Sequence, residues 1–324
     1  MARATEATGG PGKFAGAKEM YSLIRGMSIS EIEDAVREPP QVLVVSRDAT
    51  ADVLIGEITG VRGTPSVTFV SPESLPRHLD RYALIIVHNP DSNADFLHVR
   101  ERAGLAAYRT FDIGGAEDPR AIPALRDRIA DQLGEDAVAL ARWYPAFRTA
   151  AAREVINDTS RVNAQFALLS AAPTFIPVIG ELASVGADLI VLTKNQLMMA
   201  VKLAAIYGKP LDNKWEVFRD LTPVIGGGFI WRTLAREAVG ILPFAAGTIP
   251  KVSIAYAGTT ATGRAVEAYY RYGIKTSRDQ LTGYFRTALT SAKSRLGNLP
   301  QLPGRAGPSA TSLPSADQIE DTAV

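Results

Sequence analysis

The first stretch with the outline of a chemical site is 41–60, QVLVVSRDATADVLIGEITG. Gln41 to Ser46 is a β-branched run suited to a buried parallel strand, a polar turn follows, and Ala51 to Ile58 carries apolar residues at helical spacing up to Gly60. Strand, loop and helix in that order form a common phosphate site, because the N–H groups of the loop and of the first helical turn face the anion. Such a site also needs glycines for close backbone approach, a lysine for the outer phosphates and a Ser or Thr hydroxyl for magnesium. Registered on Gly60, the Gly-Lys-Ser positions fall near Thr50, Ala51 and Asp52, and no glycine occurs from Gln41 to Ile55. The loop from Ser46 to Asp52 is therefore degenerate, and Asp52 brings a negative charge where a nucleotide would bring several more. No cofactor is expected.

Later checkpoints agree. ALIIVHNPDSN ends in His88-Asn89-Pro90 where a GTPase has Asp-x-x-Gly, and YRTFDIGG lacks the base-reading Asn-Lys-x-Asp. Another three-layer α/β domain fits the same pattern. His78, His88 and His98 lie among Asp80, Asp91 and Asp95, but no spacing sets two ligands on one helical turn, so no metal site is assigned. Gly226 to Gly228 ahead of a helix suits close packing better than an anion cradle. There is no G-x-S-x-G and no assignable pair of carboxylates, so catalysis has no support.

The elements that must position these residues fall into four parts. The small, polar, Gly-rich segment 1–16 is expected to be disordered, and so is the Pro/Ser/Gly-rich tail 298–324. Between them, 17–134 reads as a small α/β domain, GTPase-like without phosphate-loop residues. Ser28 and Glu31 have the spacing of a capping box opening a helix that runs to Pro39-Pro40. Strands are expected at Gln41–Ser46, Val67–Val70, Ala83–Val87 and Tyr108–Ile113, with helices over Ser74–Arg81, Ala94–Ala106 and Pro119–Leu133 between and after them. From 135 to 297 the apolar stretches lack period-two alternation and predict helices alone. The expected class is α/β plus all-α, a small parallel sheet followed by a hydrophobic helical domain.

The 324 residues, 46% of them hydrophobic, suffice for two cores. Lys and Arg number 35 against 34 Asp and Glu, so no overall charge draws the chain to nucleic acid. Cysteine is absent, which removes disulfides and thiolate chemistry. MARATEATGGPGKFAG has no apolar core of the secretory kind, and the start of the chain reads as cytoplasmic.

The helical part carries one polar line. Glu181, Asp188, Asn195 and Lys202 recur every seven residues, nearly two helical turns, with apolar neighbours such as Val185, Val191, Leu192, Met198 and Met199. This suggests a seam against another helix, with a partly exposed amphipathic helix as the alternative. Arg232 and Arg236, one turn apart beside Glu237, are expected to meet Glu181 or Asp188.

NAQFALLSAAPTFIPVIGE, LTKNQLMMAVKLAAIYG, PVIGGGFIWRTLAREAVGILP and AYAGTTATGRAVEAYY together resemble the bacterial GTPase-associated domain-of-unknown-function family 697, which includes YcjF-like membrane proteins. The resemblance spans roughly 136–285, about half of the chain. It implies a helical domain that often follows an Era-like GTPase, which gives the degenerate loop a context. It brings no established reaction and no active site.

Spanning a bilayer takes roughly 20 apolar residues, and the longest uncharged run, Val162 to Gly180, is interrupted by Pro173 and Pro177. Lys251 to Arg295 holds eight Lys or Arg against two acidic residues, which suits an anionic cytoplasmic leaflet. The favoured expectation is a non-catalytic adaptor on the cytoplasmic face of a membrane, surface-bound or inserted, with an unidentified protein partner. A divergent NTP-binding enzyme and a soluble helical interaction module are the alternatives. No nucleic-acid partner is expected, and oligomerisation is left open.

Overall fold

The computed structural model describes residues 17–48, 51–90, 97–113, 121–169, 185–225 and 248–297. Both terminal segments, Thr50, Asp91, Asp95, Glu181, Gly226 to Gly228, Arg232 and Arg236 lie outside these residues.

Helices α1 (Ala17–Gly26) and α2 (Ser30–Ala35) precede β1 (Val42–Val45), α3 (Ala51–Thr59), β2 (Val67–Val70) and β3 (Leu84–His88). Then come α4 (Leu97–Ala103), a 3-10 segment (Gly104–Arg109), β4 (Thr110–Ile113) and α5 (Ala121–Leu133). The strands pair in parallel in the order β2-β1-β3-β4. From 136 onward the described elements are all helical: α6 (Asp136–Trp143), a 3-10 turn (Pro145–Phe147), α7 (Arg148–Leu169), α8 (Val185–Ile206), α9 (Lys214–Ile225), α10 (Thr248–Tyr272) and α11 (Arg278–Gly297). The chain is thus a small parallel sheet with a mainly helical remainder, as expected at that level.

Two local expectations fail. Ser28 does not cap α2; the helix starts after Ile29 with no side-chain cap, and the Ser28 hydroxyl instead meets Ser30, 2.9 Å from its Oγ. The helix also stops at Ala35, short of the prolines. Ser74–Arg81 is not helical either. A 3-10 turn occupies Pro72–Ser74 and Leu75 is extended (φ −60°, ψ 133°), which is the conformation a residue before proline, here Pro76, is driven toward.

Alternation along β1 and β3 sorts the core into two faces. Leu43, Val45, Ile85 and Val87 pack on Leu75, Leu79, Tyr82, Val99, Ala103 and Ala106. Val42, Val44, Leu84 and Ile86 pack on Ile55 and Ile58 of α3 and on Leu125 and Ile129 of α5. That second core does not end at the sheet. It runs through Val138, Leu140, Tyr144 and Phe147 into Val155, Ile156, Val201, Leu203 and Phe285 of the helices. Gly60, at φ +81° after α3, lets the 3-10 turn approach, since a Cβ there would stand 2.9 Å from the Ala146 nitrogen.

Cations from neighbouring elements close several helix ends, where carbonyls lack partners and the dipole is negative. Arg126 Nε donates to Ile58 O at 3.1 Å at the end of α3. Arg142 donates to Ala205 O at 3.2 Å and Lys209 O at 2.9 Å at the end of α8. Lys214 donates to Met27 O at 2.7 Å and Arg25 O at 3.1 Å beyond α1. Burial pushes the Arg126 and Arg142 guanidinium pKa values down, and Arg148 adds to the effect at Arg142.

Candidate functional site

In an open parallel sheet, ligand chemistry concentrates beyond the carboxyl ends of the strands at the point where strand order reverses. Here that point lies between β1 and β3, because β2 is added on one side of β1 and β3 on the other. Ser46 follows β1 and His88 ends β3, and Ser46 Oγ lies 3.0 Å from His88 Nδ1. Ser46 Oγ also accepts the Asp48 N–H at 3.0 Å. The hydroxyl at the degenerate loop is thus engaged by the protein itself, and the ring of His88 is buried beneath it.

The next residue turns to the side. Arg47 Nε donates to Glu73 Oε1 at 3.0 Å, and this guanidinium, with further hydrogen bonds from the Glu73 backbone and Ser71, holds the Glu73 carboxyl down to about 2. Ala51 is buried as the first residue of α3, its N–H donating to Asp48 O at 3.2 Å, and Asp52 follows in the first helical turn. Among the described residues, the groups that flank this loop are bonded to one another and to Glu73.

The histidines do not gather. His98 Nε2 meets Pro72 O at 3.0 Å, and His78 is exposed beside Asp80 at 3.9 Å. Among the described residues no three His, Asp or Glu side chains could hold a metal ion. An open cleft of about 230 Å³ borders β4, lined by Arg100, Thr110, Phe111, Asp112, Arg128 and Gln132. Its arginines are already spent, Arg100 on the Asp112 carboxylate at 2.5 Å and Arg128 on the Asp112 carbonyl at 3.4 Å and against the Phe111 ring.

The seven-residue polar line divides. Asn195 joins an interior network, donating from Nδ2 to Asn163 Oδ1 at 2.7 Å. Asn163 in turn donates to Thr259 Oγ1 at 2.8 Å, Gln196 donates to the same oxygen at 3.3 Å, and Ser160 meets Thr260 at 2.9 Å. These residues knit α7, α8 and α10 together. Lys202, by contrast, leaves the interior for Glu135 Oε1 at 2.5 Å, a carboxylate that is 80% exposed. Asp188 sits on α8, but its side chain is outside the described part, as are Glu181, Arg232 and Arg236, so their expected pairing lies beyond the described residues.

The sequence reading missed Asn163, Gln196, Ser160, Thr259 and Thr260. Their signal was the small and hydroxyl-rich run AGTTATG of α10, whose residues suit close helix approach: a Cβ on Gly263 would stand 2.7 Å from Ile156 Cγ1 and 3.1 Å from Met199 Sδ. Glu267, also on α10 and buried, receives Arg264 at 2.8 Å and the Tyr207 hydroxyl at 3.4 Å.

No family model, no curated protein and no solved structure matches this chain.

Proposed function

We propose that this protein is a non-catalytic adaptor attached to the cytoplasmic face of a membrane, in which a GTPase-like α/β half without nucleotide contacts is held by the helical half. The observation that carries the reading is how Ser46 and Arg47, directly after β1, are engaged. Ser46 is bonded to His88 and Asp48, and Arg47 is bonded to Glu73, so the groups nearest a triphosphate site serve the fold. The resemblance of 136–285 to the GTPase-associated family 697 supports the same reading, as does the basic excess of Lys251 to Arg295. Among the described residues no helix is long and apolar enough to cross a membrane.

One observation favours a second reading, a divergent NTP-binding enzyme: the Ser46–His88 pair stands where doubly wound sheets place ligands. Calorimetric titration with GTP or ATP and magnesium separates the two. The adaptor reading expects no heat of binding, and micromolar, magnesium-dependent binding overturns it. Cell fractionation followed by a carbonate wash tests attachment; recovery of the whole protein in the supernatant before any wash favours a soluble interaction module instead.

A further inference from the structure

The two edges of the sheet are not equivalent. In a parallel ladder, successive residues of an edge strand turn their N–H and C=O groups alternately toward the neighbouring strand and away from it. At β4, Ile113 O accepts the Asn89 N–H at 3.0 Å, so Ile113 faces β3 and the backbone groups of Thr110 and Asp112 face outward. That edge is guarded. Arg128 of α5 donates to Asp112 O at 3.4 Å, Gln132 one turn later donates to Tyr108 O, and the Thr110 N–H is turned back to Ala107 O.

β2 forms the other edge, and there the carbonyls of Ser66 and Val70 accept from Val42 and Ser46 at 2.8 and 2.9 Å. Val67, Phe69 and Ser71 therefore present their backbone outward. The Val67 N–H is used within the chain by Thr64 O at 3.1 Å, and Ser71 O by the Ser74 N–H at 3.0 Å. The Val67 carbonyl, both groups of Phe69 and the Ser71 N–H are left without a hydrogen bond to any described residue. The Phe69 ring in the same strand is 41% exposed.

These open groups complement themselves. A second β2 laid antiparallel about a two-fold axis at Phe69 pairs that residue with its own copy through both N–H···O bonds, and sets the Ser71 N–H against the Val67 carbonyl. The one bond this register would miss, Val67 N–H to Ser71 O, joins the two groups already satisfied inside each chain. The two rings meet as cross-strand neighbours on one face. Charge agrees with the direction, because exposed Arg62 precedes the strand and Glu73, 57% exposed, follows it, so reversal brings opposite signs together at both ends.

We propose that β2 is a dimerisation edge, at which two copies of this chain join their four-stranded sheets across Phe69. The guarded β4 edge closes the assembly at two, since head-to-tail addition would need the carbonyls that α5 has taken. The paired strands are short, Val67–Val70, so the dimer is weak and concentration-dependent. The proposal is independent of membrane attachment.

Sedimentation velocity of the full chain, from micromolar to submillimolar concentration, should show monomer passing to dimer and no larger species. Phe69→Lys sets like charges opposite each other on the axis and should weaken association roughly tenfold or more with the thermal melt unchanged. The absence of cysteine permits a test of register. Oxidised Phe69→Cys should crosslink to its copy, because the Cα atoms of a hydrogen-bonded antiparallel pair lie about 5.5 Å apart, within disulfide reach; Val67→Cys, off the axis, should not. The crosslinks decide the matter even where Phe69→Lys lowers the melt. A chain that stays monomeric, with no crosslink at 69, overturns the proposal. So does a dimer that Phe69→Lys leaves intact, or crosslinking at 67 in place of 69. Open-ended growth to larger species overturns the closure at two.

Discussion

The hydroxyls of Tyr144 and Ser66 lie 2.9 Å apart, and the same phenol reaches the Pro40 carbonyl at 2.7 Å, so one side chain from the end of α6 is bonded to the segments entering both β1 and β2. Trp143 beside it donates its indole N–H to Val36 O at 3.0 Å. Tyr144→Phe keeps the ring but takes one partner from the half-buried Pro40 carbonyl and one from the buried Ser66 hydroxyl. The expected loss is about 1–3 kcal/mol of unfolding free energy, read from denaturant midpoints at unchanged slope.

The interior network of α7, α8 and α10 should behave as a unit. Asn163→Ala strips Asn195 and Thr259 of a partner at once, and a loss of about 2–3 kcal/mol is expected. Thr259→Val removes the acceptor shared by Asn163 and Gln196. A double-mutant cycle should return a coupling of at least about 0.5 kcal/mol, and simple additivity would mean the two side chains do not interact.

Gly263 admits no side chain. The methyl of Gly263→Ala would need Ile156 and Met199 to move, both of them buried. Overpacking of this kind costs about 1–3 kcal/mol, whereas Gly283→Ala, with open space around it, should be neutral or slightly stabilising through helix propensity. Thermal melts of the two variants provide the comparison.

Burial, and after it the nearby Glu267 carboxylate, pushes the Tyr207 phenol up to about 12 from 10.0. A group whose native pKa is raised binds its proton more tightly when folded, so its contribution is complete below pH 10 and is lost as pH rises toward 12. Burial raises Tyr144 in the same direction. Stability should therefore fall across this alkaline window, and Tyr207→Phe should fall less steeply than the unmodified chain. Parallel slopes in urea titrations over that range would remove Tyr207 from the account.

Short strands were legible wherever β-branched runs stood between turn residues; Val67–Val70 forms a strand over the expected residues, and α3 runs to its Gly60 stop. Helical spacing misled at Leu75, Leu79 and Tyr82. The three side chains do bury together, but on a sheet face and along a non-helical path set by Pro76. Capping boxes show the same limit. Ser28 and Glu31 have the spacing without the bonds, while Ser277 and Gln280 make both reciprocal contacts, at 3.2 and 2.9 Å, before α11. Spacing alone cannot tell them apart, because the cap depends on where tertiary packing lets the helix begin.

The polar line of α8 was visible as a pattern but not as a partnership. Seven-residue spacing places Asn195 and Lys202 on one stripe, yet the stripe crosses from the interior beside Asn163 to the wet margin at Glu135. A single sequence marks which residues are polar amid apolar neighbours; which helix comes to meet them is decided by the assembled bundle.

The uninterrupted core from β1 through Tyr144 to Phe285 has a mechanical consequence. Among the described residues no layer of solvent separates sheet from helices, so a rotation of the one carries the other with it. A torque applied to the sheet passes into α7, α8 and α10 through that shared core, with no joint along it to absorb the turn.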